Sequence, residues 1–356
     1  MKKQSCDKIS CAKKTSIGGQ ALIEGIMMRG PKRSAMAVRN PEGEIVLEAW
    51  DHNGKKRSRL YTIPVVRGLF NFIESMTMGY KCLMRSAEIA GLEEDTSSSK
   101  KAKKKQTDEQ TDTPEQENSA HAQSEGKEKK GSSPLMTVIM VISTVLGVGL
   151  AVFLFLLLPT YIFGWLTKLI PVLRPDNAAL ASLVKSVFEG LLRIALLVAY
   201  MLLVTLMKDI RRTFQYHGAE HKTIFCYESG LELTVENVKG QRRFHPRCGT
   251  SFLILMLLVG IFISFFIDPL FIAISGEVPP ALLRSVIKLL LLPLTMGVGY
   301  ELIKLAGKHQ NLFTRIISAP GMWLQHITVL EPTDDMIECA IKAFVEVIPE
   351  DQSDKI

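Results

Sequence analysis

The run LMTVIMVISTVLGVGLAVFLFLLL, Leu135–Leu158, is 24 residues long and carries no charge. As a helix rising ~1.5 Å per residue it spans a bilayer core of ~30 Å. Three further apolar runs follow it. Ser186–Met207 carries Glu189 and Arg193, four apart on one helical face and able to pair. Mutual pairing explains them more simply than an ion path, because four helices without an evident inverted repeat make a poor transporter. The third run starts at Ser251 and is charge-free to Ile267, with Asp268-Pro269 marking an exit or a kink. The fourth, Ala281–Ile303, is interrupted by Arg284 and Lys288, which near a helix end can snorkel to the interface. The expected fold is a multi-pass α-helical membrane protein with about four transmembrane helices over 135–303.

Upstream, residues 1–92 read as a small α+β domain. Ser34–Asn40 and Glu44–Trp50 are strand-like, joined by the turn Pro41-Glu42-Gly43. From Pro64 to about Leu92 the pattern is helical, with apolar Val65, Leu69, Phe72, Ile73, Met76 and Tyr80. Ahead of the strands, Gly18–Pro31 is an apolar run punctuated by glycines and holding Glu24 and Arg29. Residues 93–134 have no large apolar side chain and are expected to be a disordered linker. Downstream, the tail 304–356 should end in an amphipathic helix. Thr333 or Asp334 would cap it, and Met336, Ile337, Ala340, Ile341, Phe344 and Val345 would form its apolar face.

Composition excludes wholesale disorder, collagen and a disulfide-dense scaffold. The net charge of +7 does not point to nucleic acid, because the basic residues flank the apolar runs and no nucleic-acid-binding motif accompanies them. The six cysteines show no framework spacing and read as reduced thiols. MKKQSCDKIS has no apolar core of a cleavable signal. Residues 208–250 hold eight Lys/Arg, against none in 268–280 and two in 166–184. The positive-inside rule therefore puts the N-terminal domain, the 208–250 loop and the tail in the cytoplasm, with the chain in the cell membrane.

The segment that can carry chemistry is Tyr216-His217-Gly218-Ala219-Glu220-His221-Lys222, containing H-x-x-E-H. On a helix His217 and His221 share a face one turn apart, with Glu220 beside them. The same string in inverzincin peptidases supplies two zinc ligands and a base. Gly218 weakens such a helix by about 1 kcal/mol. His245 and Cys248, three apart before the third run, form a second nitrogen–sulfur donor pair suited to zinc. Each of these residues taken alone also reads as an ordinary interfacial side chain or buried thiol. In the expected topology they all fall on one side of the membrane with Glu301, the best distant carboxylate, and Glu228 is an alternative acidic ligand. Arg211, Arg212, Lys222, Arg242, Arg243 and Arg247 make this face basic. They can hold a phosphate-bearing headgroup or simply follow the inner-leaflet potential.

GGQALIEGIMMRGP (Gly18–Pro31), VVRG (Val65–Gly68), DIRRTFQYHGAEHK (Asp209–Lys222) and HPRCGTSF (His245–Phe252) resemble the YqhQ-like family. These are bacterial membrane proteins of unknown function, described generally as predicted metal-dependent enzymes. The resemblance covers nearly the whole chain except 93–134. It implies a metal site at His217, Glu220, His221, His245 and Cys248. Similarity to inverzincins ends at the five-residue string.

Two functions are expected from these residues. The first is a membrane metalloenzyme, zinc-dependent and hydrolytic. Its ligands would be His217 and His221 with His245 or Cys248 and Glu301, and its general base Glu220, which can instead be a ligand. The second is a non-enzymatic adaptor. A structural metal would clamp the loop, and residues 1–92 would bind a cytosolic protein through Gly18–Pro31. The lipid bilayer is the other partner. No nucleotide-binding fingerprint is present.

Overall fold

The structure, a computed structural model, describes residues 14–52, 63–91, 134–173, 175–308, 311–351 and 353–354. Residues 93–133 of the expected linker lie outside the described residues. The N-terminal segment is a four-stranded antiparallel meander in sequence order: β1 (Gly18–Leu22), β2 (Gly25–Arg29), β3 (Arg33–Arg39) and β4 (Ile45–Asp51). β3 and β4 are the two expected strands, with Gly43 at φ 87 in their turn. β1 and β2 fill the glycine-punctuated segment, joined through Ile23 and Glu24, and Glu24 adopts φ 51.

The chain continues as α1 (Val66–Ile89). Then α2 (Pro134–Val152), a π turn (Phe153–Leu157) and α3 (Leu158–Leu169) form one helical run, longer than expected. α4 spans Ala178–Val204, and the chain turns at Thr205–Met207 into α5 (Lys208–Glu228) and the short α6 (Val235–Lys239). α7 (Gly249–Ser275) is followed by α8 (Ala281–Leu290), α9 (Leu292–Lys308), α10 (Leu312–Thr328) and α11 (Asp334–Val345). Among the described residues three helices, Val141–Leu169, Leu180–Val204 and Gly249–Ser275, are long and apolar enough to cross a membrane. α8 and α9 make a fourth such unit, bent by 48°. By length and composition this fits a membrane protein.

Of the exit or kink expected at Asp268-Pro269 the exit is corrected, and so is the snorkelling of Arg284 and Lys288. α7 does not end at Asp268-Pro269 but carries Pro269 within it. Asp268 is buried, 3.1 Å from Arg284 Nε and accepting from Ser182 Oγ at 3.1 Å. Arg284 and Lys288 do not snorkel. They are 1% and 9% exposed and turn inward to Glu189, because a carboxylate inside the bundle answers them more directly than the interface can.

The sheet is buried on both faces. Ile26, Met28, Ala35 and Ala37 meet α5 and α11 through Tyr216, Ala219, Met336, Ile337 and Phe344. Leu22, Met27, Met36 and Val38 meet Cys82 of α1. The alternation follows the two-residue period of a strand. Parts of 1–92, 208–250 and 304–356, expected as separate pieces, thus share one core, since none of these half-apolar segments can bury its face alone. α1 packs differently from its periodicity. Ile73, Met76 and Tyr80 are exposed, and the helix docks through Gly68 and Gly79. A Cβ on Gly68 would lie 2.7 Å from Tyr300 Cβ and 3.0 Å from Gly297 Cα, so a side chain there would hold α1 off α9. In α11 the expected face is buried except for Ile341, which is half-buried, and Val345, which is exposed; Cys339 and Ala343 complete it. α10, not anticipated from sequence, opens with a capping box at Asn311 and Thr314 and packs on α7.

Candidate metal centre

H-x-x-E-H lies on α5, which is held by its neighbours rather than by propensity. The Leu330 amide donates to the Phe214 carbonyl at 2.9 Å, bringing the chain after α10 across the helix. Gly218 is required there, because a Cβ would run into the Leu330 carbonyl oxygen. That close approach explains the helix-weakening residue between the two histidines.

His217 and His221 stack edge to face, ring centroids 4.5 Å apart. His217 Nδ1 is 3.0 Å from the Thr328 carbonyl and His221 Nδ1 2.5 Å from the Arg243 carbonyl. A carbonyl oxygen only accepts, so each Nδ1 carries the hydrogen and each Nε2 is left with its lone pair. Ligating histidines are commonly oriented in this way. His217 Nε2 lies 3.1 Å from Cys248 Sγ. Ligand atoms of His217, His221 and Cys248 all lie within 4.8 Å of one another, so the three can hold a metal ion. Tetrahedral zinc, with bonds of ~2.0–2.3 Å, would set them roughly 3.5 Å apart. Cys248 is also the N-cap of α7, its Sγ accepting from the Thr250 amide at 3.4 Å. A helix N-terminus stabilises the negative charge of a metal-bound thiolate.

Glu220 is fully enclosed. Its Oε1 accepts from the Gly19 amide at 3.0 Å, and its Oε2 has no hydrogen-bond partner among the described residues. Burial raises its pKa, against the opposing pull of the neighbouring His217 and the Gly19 amide. Gly19 allows this approach, since a Cβ would lie 3.0 Å from Glu220 Cδ. The Gly18–Pro31 segment therefore backs the site.

The structure separates two expected ligands from this group. His245 packs its ring 5.6 Å from that of His221, but its nitrogens face elsewhere. Nδ1 accepts from the Arg247 amide at 3.3 Å, and Nε2 lies 3.8 Å from Glu228. Burial, together with the neighbouring His221 and the Arg247 charge, lowers its pKa to about 4 despite Glu228, so the ring is neutral near pH 7. Glu301 is turned to Arg67, whose Nε donates to it at 2.6 Å and whose Nη2 completes a bidentate pair. It clamps α1 to α9 and is not in the metal-ligating group. Glu228 instead binds the Thr15 amide at 2.8 Å and the Arg247 guanidinium. Burial raises its pKa, but the nearby His245, the Thr15 amide and Arg247 prevail and hold it at about 2.

Gln325 escapes a reading of the sequence. Its Oε1 accepts from the His245 amide, and its Nε2 donates to the His245 carbonyl and Ser251 Oγ, at 2.8, 2.8 and 3.2 Å. It fixes the turn that carries Cys248, and an isolated glutamine gives no sequence signal. The basic face is largely neutralised within the chain. Arg212 pairs with Glu24 at 2.5 Å, Lys222 and Arg243 with Glu331, and Arg247 with Glu228, while Arg242 lies over the Phe225 ring.

A bundle of candidate spans bearing an α/β layer, with two histidines and a cysteine grouped between α5 and the start of α7, defines the class. The chain belongs to the family described as "Protein of unknown function (DUF1385)", which matches residues 63–350. It is 32% identical over 335 residues to the "Uncharacterized protein YqhQ" of Bacillus subtilis (strain 168), covering 93% of this chain and 92% of that one. No solved structure matches it.

Proposed function

We propose that the protein is a metal-dependent membrane enzyme, with zinc held by His217, His221 and Cys248. The observation that carries this reading is the pair of Nδ1–carbonyl bonds, which leaves both Nε2 atoms free as ligands next to a thiol. Two imidazole nitrogens and one sulfur suit a borderline ion. Three protein ligands leave a fourth position for substrate or water, as in catalytic rather than structural zinc sites. Bound there, the ion would polarise a scissile carbonyl or phosphoryl group and acidify water. Glu220, whose burial raises its proton affinity, is the group that in its ionised form would accept a proton at Oε2 and return it to the leaving group, making the reaction hydrolytic. The charge balance of the loops supports a place in the cell membrane with both termini and the metal site on the cytoplasmic side.

A structural clamp within an adaptor is the second reading. One observation favours it: the group joins α5 of the α/β layer to α7 of the bundle, where an ion would staple the two. Residues 1–92 would then engage a cytosolic partner.

The deciding experiment is metal analysis of detergent-purified wild type, His217→Ala, His221→Ala and Cys248→Ala by inductively coupled plasma mass spectrometry. One zinc per chain, lost in each variant, is expected. A wild type without metal, even after reconstitution with zinc, refutes both readings. Glu220→Gln separates them: it should keep zinc and fold while losing hydrolytic turnover. Loss of metal together with structure would refute the assignment of Glu220 as base.

A further inference from the structure

A second polar site lies inside the candidate spans. Glu189 of α4 accepts from Thr160 Oγ1 at 3.0 Å, Arg193 Nη2 at 3.0 Å, Arg284 Nη1 at 3.4 Å and Lys288 Nζ at 2.6 Å. Asp268 of α7 faces Arg284 Nε at 3.1 Å. Three cations thus meet two carboxylates, a surplus of one positive charge. No third carboxylate is ion-paired with them among the described residues. Lys185, one turn before Glu189 on α4, adds a further cation to that face. Ionisable groups at this depth are costly and mark functional sites by default. A purely structural clamp needs no surplus charge.

The surplus borders an apolar cleft of 410 Å³ between the π turn, α4, α7 and the α8–α9 bend. That volume is within the usual range for ligand sites of ~300–1,000 Å³. Phe155, Leu257, Gly260 and Leu291 are among its walls, and Arg193 and Lys288 are the charged residues on its lining. Both breaks in helical regularity face it. The π turn presents the Phe155 carbonyl to Arg193 Nε at 2.8 Å, and Leu291 is the bend between α8 and α9. Irregular backbone at membrane depth is tolerated where it lines a cavity, and π turns recur at functional sites.

We propose that this cleft binds one anionic phospholipid, its hydrocarbon chain against the apolar walls and its phosphate on Arg193 and Lys288. The apolar walls require a chain, and the unanswered positive charge requires an anion. Lys288 lies seven residues, roughly 10 Å, inside the start of α8. The headgroup is therefore drawn below the level of the surrounding lipid, which sets it apart from boundary lipid. The site is independent of the metal centre. The cleft's apolar wall reaches Leu253, five residues from Cys248, but the charged end lies by Ser264, whose carbonyl accepts from Ser186 Oγ beside Arg284 and which is 16 residues, roughly 24 Å, along the helix from Cys248.

The test uses the full chain, delipidated in dodecyl maltoside and titrated with dioleoylphosphatidylglycerol, dioleoylphosphatidylcholine or inorganic phosphate. The readouts are the thermal midpoint and bound lipid by native mass spectrometry. Phosphatidylglycerol should give a saturable rise of several degrees and one retained lipid, and the other two should give neither. Gly260→Leu should fold with its charges intact, because the nearest atom to its added Cβ is Thr295 Cγ2 at 3.7 Å, and should lose the response by filling the cleft. Equal responses to both lipids would overturn the proposal. So would a phosphate response matching phosphatidylglycerol, or an unaltered response in Gly260→Leu. Should Gly260→Leu fail to fold, the wild-type comparison of the two lipids by mass spectrometry decides alone.

Discussion

Glu189→Ala should be among the most destabilising single changes in the bundle. Glu189 is 0% exposed and accepts three bonds from cations and one from Thr160. A hydrogen bond to a charged group is worth about 1.5–3 kcal/mol, so the three sum to about 4.5–9 kcal/mol as an upper bound. Arg193 keeps the Phe155 carbonyl and Arg284 keeps Asp268, which returns part of that loss. Lys288 pairs with Glu189 and would be left uncompensated. Removing one member of a buried pair costs about 3–5 kcal/mol, which is the expected net effect. The assay is reversible denaturation in mixed micelles, with Glu189→Ala, Lys288→Met and the double variant closing a cycle. Lys288→Met should restore part of the stability lost in Glu189→Ala, because it removes the cation left bare. A Glu189→Ala loss below about 1 kcal/mol, the level of an exposed pair, would refute the reasoning. So would a double variant no more stable than Glu189→Ala.

Gly218→Ala should destabilise by about 1–3 kcal/mol through overpacking against the Leu330 carbonyl, although alanine favours helix by about 1 kcal/mol; thermal melts read the sign. Glu228 has a folded pKa of about 2 against an ordinary 4.5, so its contribution is fully present above about pH 4.5 and is lost as pH falls through about 2. Glu228→Gln should therefore flatten the acid limb of the stability profile, and an unchanged limb would remove Glu228 as its source. Cys339, whose thiol burial pushes up to about 11, should resist iodoacetamide in the folded protein and react only on unfolding; mass spectrometry of a time course checks this. Arg67→Ala and Glu301→Ala should lower the midpoint equally, and the double variant no further, since they are two halves of one clamp.

The apolar runs are legible in the sequence because length and composition alone mark a helix able to span a membrane, and β3 and β4 because a turn sits between two strand-like runs. β1 and β2 are not, because glycines at 18, 19, 25 and 30 mask strand propensity, and a sheet buried on both faces loses the alternation that marks a half-buried one. α1 misleads for a related reason: its docking face is small residues, so the conspicuous Ile73, Met76 and Tyr80 point outward. At the candidate metal centre the i, i+4 histidines and the cysteine are readable as side chains. The carbonyls of Thr328 and Arg243 that orient them are backbone atoms, and any residue type supplies those. Spacing alone sets His245 among the ligands, and only the tertiary pairing with Glu228 and Arg247 turns its nitrogens away.

The glycine-rich N-terminal strand and the histidine helix belong to one device. Gly19 has no side chain, so its amide reaches Glu220, and the same absence lets β1 lie close on α5. That amide is a donor to one carboxylate oxygen and leaves the other without a partner among the described residues, inside a site where burial favours the neutral acid. A purely structural carboxylate would be expected to have both oxygens satisfied, since an unpaired buried acceptor costs about 1–3 kcal/mol. On the proposed reading of Glu220 as the base, the strand holds it at one oxygen and spares the other to carry the proton. On that reading Gly19→Val should impair turnover more than zinc content, because the new side chain presses on Glu220 as well as on the Met27 carbonyl and the Met28 sulfur of β2, while His217, His221 and Cys248 keep their own supports. Equal loss of both would assign the strand to the fold alone.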